Sequence, residues 1–118
     1  MGHVLLVALG GALGSVARYG VGVLAARWFG LGFPWGTLAV NVIGGLAMGV
    51  LAARVGPAEE NARLLLGVGL LGGFTTFSAF SLETVRLLEH HFALATLYVA
   101  ASLVLSVAAC WLGLMLGR

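Results

Sequence analysis

Hydroxyl and amide side chains recur at helical spacing within very apolar parts of this sequence. Tyr98, Ser102 and Ser106 follow one another at intervals of four residues, so on a helix they form one stripe. Thr37 and Asn41 are also four residues apart and share a face of an earlier segment. All of these groups can donate hydrogen bonds. Serines often only bond a neighbouring helix, but a hydroxyl ladder facing an asparagine on another segment favours a polar track for a ligand.

Two phenylalanines indicate the kind of ligand. Phe77 and Phe80 are three residues apart and share one helix face. A phenyl ring is negative on its face and positive at its edge. Ring edges and hydrogen-bond donors together suit a small anion that accepts hydrogen bonds strongly. No ring of buried arginines accompanies them, which argues against phosphate-like anions.

In the stretch GGFTTF at 72–77, the pair Gly72-Gly73 predicts that a helix opens at the two glycines. Gly72-Gly73 followed by Thr75-Thr76 can leave backbone carbonyls unpaired, and such backbone at membrane depth survives only where it is buried or lines a cavity. Inward-pointing carbonyl oxygens are ligands for a small hard cation. The alternative is that the two glycines only permit two helices to cross closely.

The elements that position these residues are predicted to be membrane-spanning helices. The chain of 118 residues is 61% hydrophobic and 8% charged, whereas soluble domains carry about a quarter charged residues. Polar clusters divide it into four apolar spans, at about 4–26, 34–53, 64–85 and 92–116. The sequence therefore predicts one all-α transmembrane domain over 1–118, with four helices, the third broken near its centre.

Charge gives this protein almost no preferred orientation. Arg54, Arg63 and Arg118 lie at one side of the predicted membrane, and Arg27 and Arg86 lie at the other. Because positive charge normally marks the cytoplasmic side, a near balance predicts insertion in both orientations, which would let two copies pack antiparallel. The alternative is that a small bias is sufficient to orient every copy.

Several classes of function are not expected. The sequence has no P-loop, no Gly-x-Ser-x-Gly and no metal-spaced His/Cys cluster, so an enzyme is not expected. No basic run suggests nucleic acid as a partner. Cys110 is the only cysteine and is expected to be an apolar packing residue. The small multidrug exporters resemble the chain in outline, but they carry an essential glutamate in the first span, where this chain has none.

Three stretches resemble the signature motifs of a known family. GGALGSVARY at 10–19, GTLAVNVIGG at 36–45 and GGFTTFSAFSLET at 72–84 resemble those of the Fluc (CrcB) fluoride channel family, and Tyr98-x3-Ser102-x3-Ser106 resembles its fourth-span polar track. The resemblance covers all four spans. It implies an antiparallel, dual-topology homodimer with two fluoride pores and a structural sodium ion on the dimer axis.

The same resemblance assigns roles to ten residues. It implies that the backbone carbonyls of Gly72 and Thr75 bind sodium, and that Arg18 draws anions into a vestibule. The implied fluoride path contains an amide, two rings and four hydroxyl side chains, namely Asn41, Phe77, Phe80, Thr76, Tyr98, Ser102 and Ser106.

The function implied is a passive channel that lets fluoride leave the cytoplasm of a bacterium through the inner (plasma) membrane. Its partners would be fluoride, sodium, the lipid bilayer and a second copy of the chain. Two alternatives stay open, namely a proton-coupled transporter of fluoride or of the multidrug type, and a structural subunit of a larger membrane complex.

Overall fold

The computed structural model describes all 118 residues, and they form helices joined by short turns. The helices are α1 (Gly2–Phe29), α2 (Trp35–Arg54), α3 (residues 60–74), α4 (Ser78–His90) and α5 (Phe92–Gly117). α3 and α4 together form the third span, Glu60–His90, and all four spans are long and apolar enough to cross a membrane. The predicted all-helical fold, with four spans and a broken third helix, is confirmed.

Three of the four spans extend beyond the apolar ranges predicted from the sequence, and the second is shifted by one residue. The third span covers residues 60–90 rather than 64–85, because the polar residues at both of its ends remain helical. α1 ends where Gly30 adopts a φ of 77°, a left-handed backbone conformation that glycine adopts without strain. Pro34 directly precedes α2, where its lack of an N–H costs the helix nothing.

Glycines bring the helices into backbone contact in two pairs. α2 packs on α5 through Gly45 and Gly49, and a Cβ added to Gly45 would lie 2.8 Å from the carbonyl oxygen of Ser106. α1 packs on α3 in the same way, with Gly10 and Gly14 against the backbone of α3. Without a hydrophobic drive between helices in lipid, such close packing supplies much of the association. These contacts fix α5 beside α2 and α3 beside α1.

α3 is wound more widely than an α-helix over most of its length. Arg63–Leu71 forms a π-helix, and the N–H of Gly72 reaches back to the carbonyl of Gly67. π-helical turns are rare and are frequently found at functional sites. Here three α-helical residues, Gly72–Phe74, separate the wide segment from the interruption of the span.

The interior of a single chain is thin, since only 14 of 118 residues are buried. Large apolar side chains such as Leu103, Val104 and Val107 are more than half exposed on α5. Outward-facing apolar side chains are what a lipid environment requires of spanning helices. The protein is therefore a multi-pass membrane protein, and its polar residues collect where α2, α5 and the interrupted span meet.

Candidate functional site

The interruption of the third span lies just after the glycine pair, not at it. Gly72 and Gly73 are helical, and the backbone leaves the helix at Thr75, where φ is −88° and ψ is 162°. The N–H and the Oγ1 hydroxyl of Thr75 both donate to the carbonyl oxygen of Leu71, at 3.0 and 2.9 Å. The prediction that Gly72-Gly73 opens the helix was therefore wrong in position by a few residues.

Gly73 instead allows α1 to cross α3. A Cβ at Gly73 would lie 2.7 Å from the carbonyl oxygen of Gly11, closer than real side chains come. The alternative drawn from the sequence, that the glycines permit a close crossing, holds for this residue. Because Gly73 brings α1 against the end of α3, the crossing sits directly beside the break.

Asn41 of α2 forms a two-way hydrogen-bonded pair with the broken backbone. Its Nδ2 donates to the carbonyl oxygen of Thr76 at 2.9 Å, and its Oδ1 accepts from the N–H of Thr76 at 2.9 Å. The side-chain amide thus satisfies both backbone groups of one non-helical residue, which would otherwise be costly in lipid. The hydroxyl of Thr76 accepts the N–H of Ala79 at 3.2 Å and caps the start of α4.

Arg18 of α1 forms another side-chain hydrogen bond next to the break. Its Nε donates to the carbonyl oxygen of Gly73 at 3.1 Å, and the residue is half-buried. Arg18 lines a cleft of about 550 Å³ with Ser15, Tyr19 and Thr76. This cleft is separate from a groove that lies between α2, α5 and the interrupted span. Arg18 lines only the cleft, whereas Thr76 lines both the cleft and the groove.

A groove of about 490 Å³ runs between α2, α5 and the interrupted span. It brings together eight of the ten residues singled out from the sequence. These are Asn41, Gly72, Thr75, Thr76, Phe77, Phe80, Ser102 and Ser106. Gly44, Gly45, Met48, Leu103, Val107 and Cys110 complete the lining, so no charged side chain lines the groove.

The two serines of the stripe present free hydroxyls. Ser102 and Ser106 have buried Oγ atoms without a hydrogen-bond partner in the protein. Other hydroxyls of the chain behave differently, because Thr84 and Thr96 each donate to the carbonyl four residues earlier, at 2.8 and 3.1 Å. A buried hydroxyl without a partner is costly. The groove therefore offers two donors that a ligand could use.

Some backbone carbonyl groups beside the break accept hydrogen bonds and others do not. Those of Gly73 and Thr76 accept hydrogen bonds from Arg18 and Asn41. Those of Gly72, Phe74 and Thr75 accept none of the hydrogen bonds made outside the regular helices. Gly72 and Thr75, both of which line the groove, therefore have oxygens available to a cation. Phe74 was not singled out from the sequence.

The two phenylalanines begin a chain of aromatic contacts. The ring centroids of Phe77 and Phe80 are 5.5 Å apart, and Phe80 lies 5.1 Å from Tyr98. Phe77 is 76% exposed on a single chain, whereas Tyr98 is fully buried. Tyr98 also meets Phe33 edge-on at 5.4 Å. The aromatic chain therefore links the surface of the molecule to its centre.

Tyr98 lies behind the groove rather than on its wall. Its hydroxyl donates a hydrogen bond to Oε1 of Glu83 on α4 at 3.1 Å, and its ring packs against Phe80. Glu83 is the one acidic residue within the four apolar ranges predicted from the sequence. Its partner lies 15 residues away on the next helix, and no local pattern indicated that pairing.

These features define a class of protein: a four-span helical membrane protein whose interrupted third span borders an uncharged groove with free hydrogen-bond donors. The family model described as "CrcB-like protein, Camphor Resistance (CrcB)" matches residues 5–114. The chain belongs to the CrcB family.

Curated relatives cover the whole chain. The fluoride-specific ion channel FluC of Caulobacter sp. (strain K31) is 58% identical over 123 residues, which cover 100% of this chain and 96% of the relative. Proteins of the same name from Phenylobacterium zucineum (strain HLK1) and Hyphomonas neptunium (strain ATCC 15444) are 52% and 50% identical, each covering 100% of this chain and 97% of the relative.

Proposed function

We propose that this protein is a fluoride-selective channel through which fluoride leaves the cell passively. The observation that carries the proposal is the lining of the groove. It contains both the unpartnered hydroxyls of Ser102 and Ser106 and the rings of Phe77 and Phe80. The curated relatives, named fluoride-specific ion channels, support the choice of anion.

The groove suits the chemistry of fluoride. Fluoride is small and strongly hydrated, so a path through lipid must replace its water with donors. Serine hydroxyls and positive ring edges provide such replacements. Because no positively charged side chain lines the groove, the anion would be bound loosely enough to leave again, as conduction requires. Arg18, in the neighbouring cleft, raises the local anion concentration at the vestibule.

The cell gains from a passive pathway because of the acid–base chemistry of fluoride. Hydrogen fluoride enters as a neutral weak acid and dissociates in the cytoplasm, where the anion is trapped. The inner membrane of a bacterial cell holds a potential, negative inside, that drives an anion outward. A channel in that membrane therefore lowers cytoplasmic fluoride without an energy source of its own.

A proton-coupled transporter is the second candidate, because Glu83 is a carboxylate within a span. Glu83 does not line the groove, however, and accepts a hydrogen bond from Tyr98. In liposomes loaded with fluoride, purified protein is expected to release the anion once a potassium ionophore balances the charge, and at equal rates with and without a pH gradient. Release that requires the gradient would favour coupling, and no release would refute the channel.

The channel is an antiparallel homodimer of chains inserted in both orientations. The balanced arginines and the open groove of a single chain support this arrangement. A reporter fused after Arg118 is expected to be found on both sides of the membrane in the same cells. The control is a version with added lysines next to the reporter, which should fix one orientation. A reporter of the unmodified chain found on one side only would refute dual insertion.

One sodium ion is held on the dimer axis by the carbonyl oxygens of Gly72 and Thr75 from both subunits. The unpaired state of these oxygens supports the assignment, since uncharged oxygens suit a monovalent hard cation. We expect replacement of sodium by a large organic cation to lower both the melting temperature and fluoride efflux. Thr75→Ser should respond like the parent, because the ligand is backbone. Unchanged melting and efflux after exhaustive sodium removal would contradict the site.

A further inference from the structure

The polar stripe of α5 continues past the two serines. Cys110 lies four residues after Ser106, which lies four after Ser102, and all three line the same groove. At a rise of about 1.5 Å per residue, each step along this stripe is about 6 Å. Cys110 is half-buried, and its thiol is free. Its position on the groove wall differs from that of a residue packed only among apolar neighbours.

Independent evidence that this wall binds a ligand comes from Ser102. Ser102 is 7% exposed and its hydroxyl has no partner in the protein, although the residue lines the groove. The hydroxyl of Ser106 is unpartnered as well. The backbone near Cys110 is also fixed, because the carbonyl oxygen of Cys110 would collide with any Cβ at Gly49. Cys110 is therefore held in line with two donors that have nothing else to bond.

We propose that the thiol of Cys110 is the third hydrogen-bond donor of the groove wall, and that a small thiol reagent attached there closes the fluoride path. The proposal rests on the proposed channel function. An S–H group is a weak donor, so fluoride would be held less firmly at Cys110 than at the serines. Such a station suits the end of a path, where the anion must regain its water.

The single cysteine makes the test specific. Methyl methanethiosulfonate reacts when the Cys110 thiolate attacks its methylthio sulfur; an S–S bond forms, methanesulfinate leaves, and the thiol proton passes to water. Complete labelling, verified by intact mass, is expected to lower fluoride efflux from liposomes at least about tenfold, because the added group narrows the lining. Labelling should also be slower in sodium fluoride than in sodium gluconate.

Two variants separate a donor from a packing residue. Cys110→Ser keeps a donor and Cys110→Ala removes it, so the serine variant should conduct more than the alanine variant. A packing role would favour alanine, since a buried hydroxyl without a partner is costly. Efflux through either variant should not respond to the reagent, which controls for reaction elsewhere.

The remaining outcomes are equally decisive. Fully labelled protein that conducts like the parent overturns the proposal, and so does a thiol that reacts only after denaturation. If the unlabelled parent releases no fluoride, the proposed channel function fails instead. The two failures are therefore distinguishable in one set of liposomes.

Discussion

Asn41→Asp is expected to lower fluoride efflux about tenfold to a hundredfold. The Asn41 amide donates to the carbonyl of Thr76 and accepts from its N–H. An ionised aspartate cannot donate, so it would place a negative oxygen against that carbonyl. Leaving such a group unsatisfied costs about 1–3 kcal/mol, and about 1.4 kcal/mol corresponds to a factor of ten. The negative charge would also repel an anion in a poorly screened groove.

The chain offers a matched control for this change. Asn61 is exposed in the first turn of α3, where a negative charge is favourable, so Asn61→Asp should leave efflux unchanged. The melting temperature of the purified protein separates the two effects at Asn41, because a broken pair at Thr76 lowers it and repulsion alone does not. Efflux through Asn41→Asp at the parent level would remove Asn41 from the candidate site.

Helical spacing predicted part of the groove lining. Ser102 and Ser106 share a face because four residues make slightly more than one turn, and the structure places both on one wall. Asn41 of α2 lines the same groove, whereas Thr37, predicted to share its helix face, does not. The four-span fold could be predicted from hydropathy because each helix satisfies its own backbone hydrogen bonds. The position of each span in the chain therefore depends on local sequence.

Contacts between distant residues could not be predicted in this way. Asn41 and Thr76 are 35 residues apart, and Arg18 and Gly73 are 55 apart, so their pairing depends on how the helices align. The position of the break has the same origin. The sequence predicted that the helix opens at Gly73, but the closeness of Gly73 to Gly11 gives it a packing role. The helix is interrupted only where Asn41 provides hydrogen-bond partners for the backbone of Thr76.

The break and the groove depend on each other physically. Backbone groups freed at Thr76 are satisfied by Asn41, and this holds Phe77 at the start of α4 beside the groove. Arg18 meanwhile donates a hydrogen bond to the carbonyl oxygen of Gly73. The free oxygens and hydroxyls that remain face a space with no fixed charge on its walls. The interruption of the helix thus creates a polar surface without placing a charged side chain in the groove lining.

Phe80→Ile and Phe77→Ile are each expected to lower fluoride efflux by at least about tenfold, and Phe80→Ile should lower stability more than Phe77→Ile. Isoleucine keeps apolar bulk but lacks the positive ring edge that faces an anion. Phe80 contacts both Phe77 and Tyr98, and each aromatic contact contributes about 0.5–1.5 kcal/mol. Phe77 is 76% exposed on one chain and has Phe80 as its aromatic contact, so Phe77→Ile removes one such contact where Phe80→Ile removes two and should lower the melting temperature less.

Efflux and melting measured on the same preparations decide whether the rings serve the anion. Phe92→Ile is the matched control, because Phe92 is 71% exposed at the start of α5, away from the groove, and should conduct like the parent. Size-exclusion chromatography should show the same assembly for all variants, so that a loss of efflux reflects the ring and not the oligomer. If Phe77→Ile conducts at the parent rate, its ring is not part of the path. If Phe80→Ile loses efflux only in proportion to its stability, Phe80 is a packing residue that positions Tyr98.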